Sequence, residues 1–505
     1  MCGAGRHANS GREQILESLS AERERPHADR QRLPLQLMLG VEILLLWLLP
    51  MRSSLWADEL GTSWIVKDSF TAMLERAVVW SGQSPLYYVT AWAAAKIAPA
   101  SDVALRVPSL LAMGATLWLL YRLAARLIGR PAALYAALIF AALPPVAFAA
   151  ADARPYALAL LLLVASTVAL LKWIERRTLP ALLLYSLFAA GACYAHPLFL
   201  PGLVVPAVYA LWRTRNAVQL AGAWLGAGIL CIPLVRQLAT FFAERGAHSW
   251  LTAPSVAEFF FAILPLPLVG AIAAVALARM LRRGEAGCSW TLDRPVTIFL
   301  AAWMLFTPVT YFLLARTSDL QFFHPRYILA FAPGLALLAG ALVQSFHAPL
   351  ARRALAGLFA LLSILTAGAT LGFQHSRENW RDNLAVVRDL AAERGTVVVV
   401  STIFVEGGTL EAIANPRMRD VLFAQLLRYP LPEDVKVIRL PYEVDAAVME
   451  RTCASVVRDA RRLVVLLQSD KRFAAEWLVA HAEPFAPRIR HMGRSGSVLV
   501  FDFER

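Results

Sequence analysis

The sequence predicts an α-helical polytopic membrane protein of about eleven transmembrane helices, ending in a soluble α/β domain. Three observations predict it. The 505 residues are 58% hydrophobic and 17% charged, where a soluble globular domain carries about 25% charged residues, and the mean hydropathy is +0.55. Apolar runs recur from Leu33 to about Phe373, each near the ~20 residues a helix needs to cross ~30 Å of hydrocarbon. Beyond Gln374 charges return throughout, and short Val- or Leu-rich runs alternate with amphipathic helical patterns.

The candidate spans are 34–51, 105–121, 131–150, 156–173, 179–195, 197–212, 217–235, 257–281, 295–315, 327–346 and 354–372. Charge orients them. With residues 1–33 as a basic cytoplasmic tail, one set of loops carries Arg122, Arg126 and Arg130; Lys172, Arg176 and Arg177; Arg213 and Arg215; Arg279, Arg282 and Arg283; and Arg352 and Arg353. The positive-inside rule puts those loops in the cytoplasm. Arg236 and Arg245 are exceptions in a longer outside loop. The rule accounts for the net charge of +13 without nucleic acid as a partner. The first apolar run has no small-residue cleavage site after it and reads as an uncleaved signal anchor. The cysteines (Cys2, Cys193, Cys231, Cys288, Cys453) are scattered without metal-ligand spacing and read as packing residues.

One segment sets the parity. Residues 85–98 are apolar and helix-like, with Ser84 as N-cap and Pro85 at the first helical position. At ~1.5 Å per residue they reach about 21 Å, too short to span, and counting them as a span turns every later arginine cluster outward. They are expected to lie in the outer interface, with Tyr87, Tyr88 and Trp92 at headgroup depth. A second short helix is expected over 69–80, so the first outside loop, about 52–104, is large and hugs the membrane. The region 34–373 is then a membrane module, and 374–505 an extracytoplasmic domain. Its expected strands are Thr396–Ile403, Val435–Leu440, Arg462–Leu467 and Ser497–Phe503, and its expected helices are 380–394 and 443–461.

The outside ends of the helices share polar residues: Asp58-Glu59, Gln83-Ser84-Pro85, Asp152-Ala153-Arg154, His196-Pro197 and His324-Pro325-Arg326. Charges at a helix centre cost about 2.5–3.5 kcal/mol each on insertion scales, and their gathering on one face points to an outward polar cavity. A carboxylate at Asp58 suits proton transfer from a hydroxyl; chemistry alone favours a solvated acidic turn capping the next helix, since loop acids are common. Asp152 and Arg154 read as a local ion pair or as cavity lining. His196 alone reads as an interfacial packing residue. Arg326 beside His324 suits a phosphate group, or a snorkelling side chain. No GxxxxGK[ST], and no GxGxxG at a strand-to-helix junction, is present, so no nucleotide site is visible.

The stretches ADELGTSWIVKDSF, SGQSPLYYVTAWAAAKI and ALRVPSLLAMGATLWLLYRLAARLIG, followed by ADARPYAL, YAHPLFLPG, HPRYILAFAPGLALLAGAL and NWRD, resemble the GT-C superfamily of membrane glycosyltransferases. The likeness is to the glycosyltransferase family 39-like group, with protein O-mannosyltransferases, lipid A aminoarabinose transferases and Rgt-type galacturonosyltransferases. It covers about 34–350 and is weak beyond 385. The resemblance implies transfer of a sugar from a polyprenyl-phosphate donor to a lipid, glycan or protein acceptor at the outer face of a cell (inner) membrane, with inversion. It implies that Asp58 acts as base with Glu59 completing an acidic pair. It implies that Arg326 and His324 meet the donor phosphate, and that Gln83, Tyr87, Asp152, Arg154 and His196 line the cavity. It names no certain cofactor and leaves a divalent metal open. The rival readings are a transporter or flippase of an envelope lipid or glycan, which explains the one-sided polar residues less well, and a structural envelope subunit.

Overall fold

The computed structural model describes residues 33–79, 85–98, 101–243, 252–282, 289–467, 472–493 and 497–504. The expectations that concern the basic tail before Leu33, Gln83, Ser84 and Arg245 lie outside the described residues. The chain is a multi-pass membrane protein. Among the described residues, six helices are long and apolar enough to cross a bilayer: α1 Leu33–Arg52, α5 Asp102–Leu127, α8 Tyr156–Arg176, α10 Pro197–Thr214, α15 Arg294–Thr317 and α17 Pro349–Leu371. Two further expected spans are broken helix pairs, α6 Arg130–Ala142 with α7 Pro144–Ala150, bent by 70°, and α13 Val256–Ile263 with α14 Leu266–Arg282, bent by 75°. Proline makes both breaks. Leu143 is extended ahead of Pro144-Pro145, and Leu264 leaves the helix ahead of Pro265, because the residue before a proline is pushed out of the α region. Three shorter apolar helices, α9 Leu179–Ala195, α11 Ala217–Cys231 and α16 Leu329–Ser345, occupy the remaining expected spans. A further helix, α12 Leu234–Ala243, follows α11.

Small residues let the helices approach closely, as in other membrane bundles. A Cβ on Gly340 of α16 would fall 2.8 Å from the Ala136 backbone nitrogen and Cβ in α6. One on Gly334 would fall 2.6 Å from the Met304 nitrogen in α15. Helix α16 is wedged between two neighbours in this way, which fixes the segment 324–328 that leads into it.

The first loop holds three helices, α2 Ala57–Val66, α3 Phe70–Val79 and α4 Pro85–Ile97. The acidic pair is therefore in the first turn of a helix and not in an open turn. The tyrosines of helix α4 are not open to lipid headgroups. Tyr87 and Tyr88 are wholly buried, because the tyrosine face packs on protein: the Tyr87 hydroxyl hydrogen-bonds Ser109 of α5 at 3.0 Å. Trp92, less buried, donates its indole N–H to the Asp68 carbonyl at 3.0 Å.

The tail folds as an α/β domain: α18 Trp380–Ala391, β1 Thr396–Ser401, α19 Leu410–Ala414, α20 Pro416–Leu422, α21 Ala424–Arg428, β2 Lys436–Leu440, α22 Ala446–Asp459, β3 Arg462–Leu466, α23 Arg472–Ala482, β4 Arg488–Met492 and β5 Val498–Asp502. The sheet order is β2-β1-β3-β5-β4. Strands β1–β3 pair in parallel, and β5 pairs antiparallel with β3 and β4. Alternation splits β1 between two cores. Val397 and Val399 pack with Met449, Cys453 and Leu478. Val398 and Val400 pack with Trp380 and Leu384, and through them with Leu55, Leu60, Ile65 and Tyr88 of the first loop. The tail and the first loop thus share one apolar core.

Gly340→Ala is expected to destabilise the protein by about 1–3 kcal/mol, because the added methyl meets backbone that has nowhere to move. The thermal midpoint in detergent measures this; an unchanged midpoint contradicts the close α6–α16 approach.

Candidate active site

Trp56 stands at the N-cap of α2, and Asp58 and Glu59 occupy its first turn, where the helix dipole favours negative charge. The two carboxylates face different surroundings. The Glu59 side chain is sealed from solvent against Arg106 of α5. Its Oε1 accepts from Arg106 Nε at 2.7 Å and from the Ala153 N–H at 2.7 Å, and its Oε2 takes Arg106 Nη2 and the Trp56 N–H, the latter at 3.3 Å. Burial, the largest influence, raises its pKa, but the charges of Arg106 and His375 together with the hydrogen bonds from Arg106 and Ala153 outweigh it and hold the group below the usual range.

Asp58 is about a quarter exposed and pairs with Arg326 at 2.7 Å, with Arg154 Nη2 at 3.9 Å. Burial again pushes its pKa up, and the charges of Arg326 and Arg154 bring it below its ordinary value. The Arg326 guanidinium lies over the rings of Trp56, at 5.3 Å, and Tyr327, at 5.2 Å, a cation–π cradle that orients the fork.

Asp152 follows α7 in a turn closed by the Arg154 N–H on its carbonyl at 2.7 Å. Its side chain is wholly buried. Oδ1 accepts from the Trp56 indole at 3.0 Å and faces His375 Nε2 at 3.3 Å. Burial raises its pKa, and His375 opposes the rise. The Arg154 side chain turns toward Asp58 and the Tyr88 hydroxyl, 3.4 Å away. His196 is buried, accepts the Leu198 N–H on Nδ1 at 3.3 Å, and stacks near Tyr156 and Tyr327, at 5.0 and 5.9 Å. His324 accepts the Arg326 N–H on Nδ1 at 3.4 Å. Asp58, Arg154 and Arg326 thus meet directly, Asp152 joins them through Trp56, and His196 stands in an aromatic row behind them. Tyr87 turns to Ser109 while its neighbour Tyr88 reaches Arg154.

An apolar cavity of about 560 Å³ opens beside the cluster. Leu45, Phe148, Phe261, Leu266 and Leu371 are among its apolar walls, and His324, Arg326 and His375 supply polar lining.

Glu59, Asp152 and His375 each offer a metal-ligand atom within 4.8 Å of the others. They do not fit a divalent ion, because both Glu59 oxygens are held by the Arg106 guanidinium, whose charge already neutralises the carboxylate.

Sequence reasoning missed Trp56, Arg106, His375 and Glu378. Arg106 had a signal: a charge in the fifth position of a 26-residue apolar helix, which calls for a buried partner.

Residues 82–238 match the family described as dolichyl-phosphate-mannose-protein mannosyltransferase. None of the curated proteins matches the chain. Two crystal structures of ArnT from Cupriavidus metallidurans are similar to it, both at TM-score 0.54 and 12% identity. The apo state covers 92% of this chain and 97% of ArnT; the state bound to undecaprenyl phosphate covers 93% and 98%. At that identity the structures speak to the fold, and the family match speaks to the enzyme class. Residues 82–238 thus resemble that mannosyltransferase family, and the chain as a whole shares the ArnT fold. The family match begins just before α4 and ends within α12, so it takes in Arg106, Asp152, Arg154 and His196.

Burial, followed by the charge of Arg326, holds the His324 imidazole down at about 4 from an ordinary 6.5, with Asp58 pulling the other way. The unfolded chain therefore binds this proton first as the pH falls. Stability is expected to drop on acidification through the window from pH 6.5 to about 4, and His324→Gln is expected to flatten that drop. Thermal midpoints across the window measure it; an identical slope in the variant contradicts the buried neutral histidine.

Proposed function

We propose that this protein is a glycosyltransferase that moves a sugar from a polyprenyl-phosphate donor to an acceptor hydroxyl at the outer face of the cell membrane. The observation that carries the reading is the Asp58–Arg326 pair beside an apolar cavity. A polyprenyl chain needs an apolar groove, and its phosphate needs a cation at the rim. Arg326 lines that cavity and touches Asp58, an acid with an accessible edge. The binding of undecaprenyl phosphate by ArnT, which shares the fold, supports the same class of donor.

The mechanism follows from the exchange this pair invites. As the donor enters, the guanidinium fork turns from Asp58 to the phosphate, with which it makes charge-assisted bonds. Asp58 then loses its strongest counter-charge and becomes a better base. The acceptor oxygen attacks the anomeric carbon, and its proton passes to the Asp58 carboxylate. The bond from that carbon to the phosphate oxygen breaks, and its electron pair leaves with the polyprenyl phosphate, stabilised by Arg326. One displacement inverts the anomeric centre. His324 supplies a neutral donor or acceptor beside the phosphate. Glu59 is sealed against Arg106 and serves to place Asp58. A transporter does not require an acid and a guanidinium at contact distance beside the cavity.

Membranes carrying Asp58→Asn are expected to transfer sugar from radiolabelled polyprenyl-phosphate donors about 100-fold more slowly or worse. Arg326→Ala is expected to lose donor binding as well as rate. Transfer at the wild-type rate by Asp58→Asn, or none by the wild type with any such donor, overturns the proposal.

A further inference from the structure

Helix α2 begins on a residue that cannot cap it. An N-cap is ordinarily Ser, Thr, Asp or Asn, whose side-chain oxygen takes a free N–H of the first turn. Trp56 has no acceptor atom in its side chain. Glu59 turns back to the Trp56 N–H, which leaves the Ala57 N–H to be satisfied from elsewhere. Its partner comes from the other end of the chain. Glu378, four residues beyond the described turn that closes α17, accepts the Ala57 N–H on Oε2 at 2.9 Å and the Trp380 indole N–H on the same oxygen at 2.7 Å.

Glu378 is not alone in reaching this segment. The His375 N–H donates to Ser53 Oγ at 3.2 Å, and the Arg381 N–H donates to Ser54 Oγ at 3.0 Å. The Leu55 N–H donates to the Tyr429 hydroxyl at 3.2 Å. That hydroxyl in turn donates to Asp102 at 2.7 Å, where Arg428 also binds, with Nη2 at 2.7 Å. The Phe404 ring lies 3.2 Å from where a Cβ on Gly61 would stand. Ser53, Ser54, Leu55 and Ala57 are each bound by a residue of the tail, directly ahead of Asp58.

We propose that Glu378 is a positioning residue for glycosyl transfer: it caps α2 from the C-terminal domain and so fixes the Asp58 carboxylate where Arg326 and the acceptor meet it. The C-terminal domain is on this account a working part of the active site. The proposal rests on the reading of Asp58 as the base. It asks nothing of the phosphate end, because Arg326 is carried by the segment before α16 and held there against the ring of its own neighbour Tyr327. What the cap requires is an acceptor oxygen at the right reach, not a charge, so glutamine replaces glutamate and alanine does not.

Three measurements on the full-length protein in detergent test this: kcat for sugar transfer, Kd for undecaprenyl phosphate alone, and the thermal midpoint. Glu378→Ala is expected to lower kcat about tenfold or more, since small misplacements of a reacting group cost that much, with Kd for undecaprenyl phosphate within about twofold of wild type. Glu378→Gln is expected to restore most of the rate. If Glu378→Ala does not accumulate as folded protein, Glu378→Asp carries the test. It keeps the charge but withdraws the oxygen by one carbon, and it is expected to lower kcat more than Glu378→Gln does. An alanine or aspartate variant with wild-type kcat overturns the positioning role and leaves the proposed function standing. So does a variant in which rate, phosphate affinity and midpoint fall together, which marks a merely structural contact. A wild type that transfers no sugar overturns the proposed function itself.

Discussion

A carboxylate and a guanidinium shut away from water, Glu59 and Arg106, hold the proposed catalytic end of this molecule together. Arg106 has five N–H groups, and the structure gives them the two Glu59 oxygens and the carbonyls of Met51, Ser53 and Ser54, the last three at 2.9, 2.7 and 3.0 Å. Glu59 adds the N–H groups of Ala153 and Trp56. One pair therefore ties the end of α1, the start of α2, the first third of α5 and the turn after α7. Removing one partner of such a pair costs about 3–5 kcal/mol, because the other is left as an uncompensated buried charge. The pair is satisfied on every side, which is why it can be buried at all.

Asp58 stands one residue away and works on the opposite terms. Its partner Arg326 comes from a different part of the fold, its side chain keeps an open edge, and the pair is met at the rim of a cavity. A buried, fully bonded pair has no reason to exchange partners. A rim pair exchanges readily when a better anion arrives, because the guanidinium prefers the planar, bidentate fit of a phosphate. The molecule thus uses two adjacent acids for two purposes. Glu59 fixes the backbone, and Asp58 is left free to change its charge partner.

Much of this was legible in the sequence. Span length and hydropathy place the helices, and the prolines at 144, 145 and 265 explain why two spans are broken. The tail's strands are legible where both faces are buried, as in Thr396–Ser401; β4 escaped because Arg-Ile-Arg-His-Met is a polar edge strand with no apolar period. Helix α2 escaped because Trp56 gives no capping signal. The charged residues at one set of helix ends stand out together, and the structure brings Asp58, Arg154 and Arg326 into contact. Arg106 was legible only as a charge within an apolar helix, and His375 and Glu378 were not legible as site residues. Their partners lie 47, 223 and 321 residues away along the chain, a distance over which local pattern carries nothing. The tail also reads as separate in composition, although its sheet shares a core with the first loop.

The central claim is that Arg326 leaves Asp58 for the donor phosphate. The most direct measurement is an experimental structure of the full-length protein with undecaprenyl phosphate bound, compared with one determined without lipid. The account predicts the Arg326–Asp58 contact of 2.7 Å in the empty protein, and in the complex the polyprenyl chain in the apolar cavity with the Arg326 fork on the phosphate and Asp58 facing open space. A complex in which Arg326 stays on Asp58 while the phosphate binds other residues contradicts it.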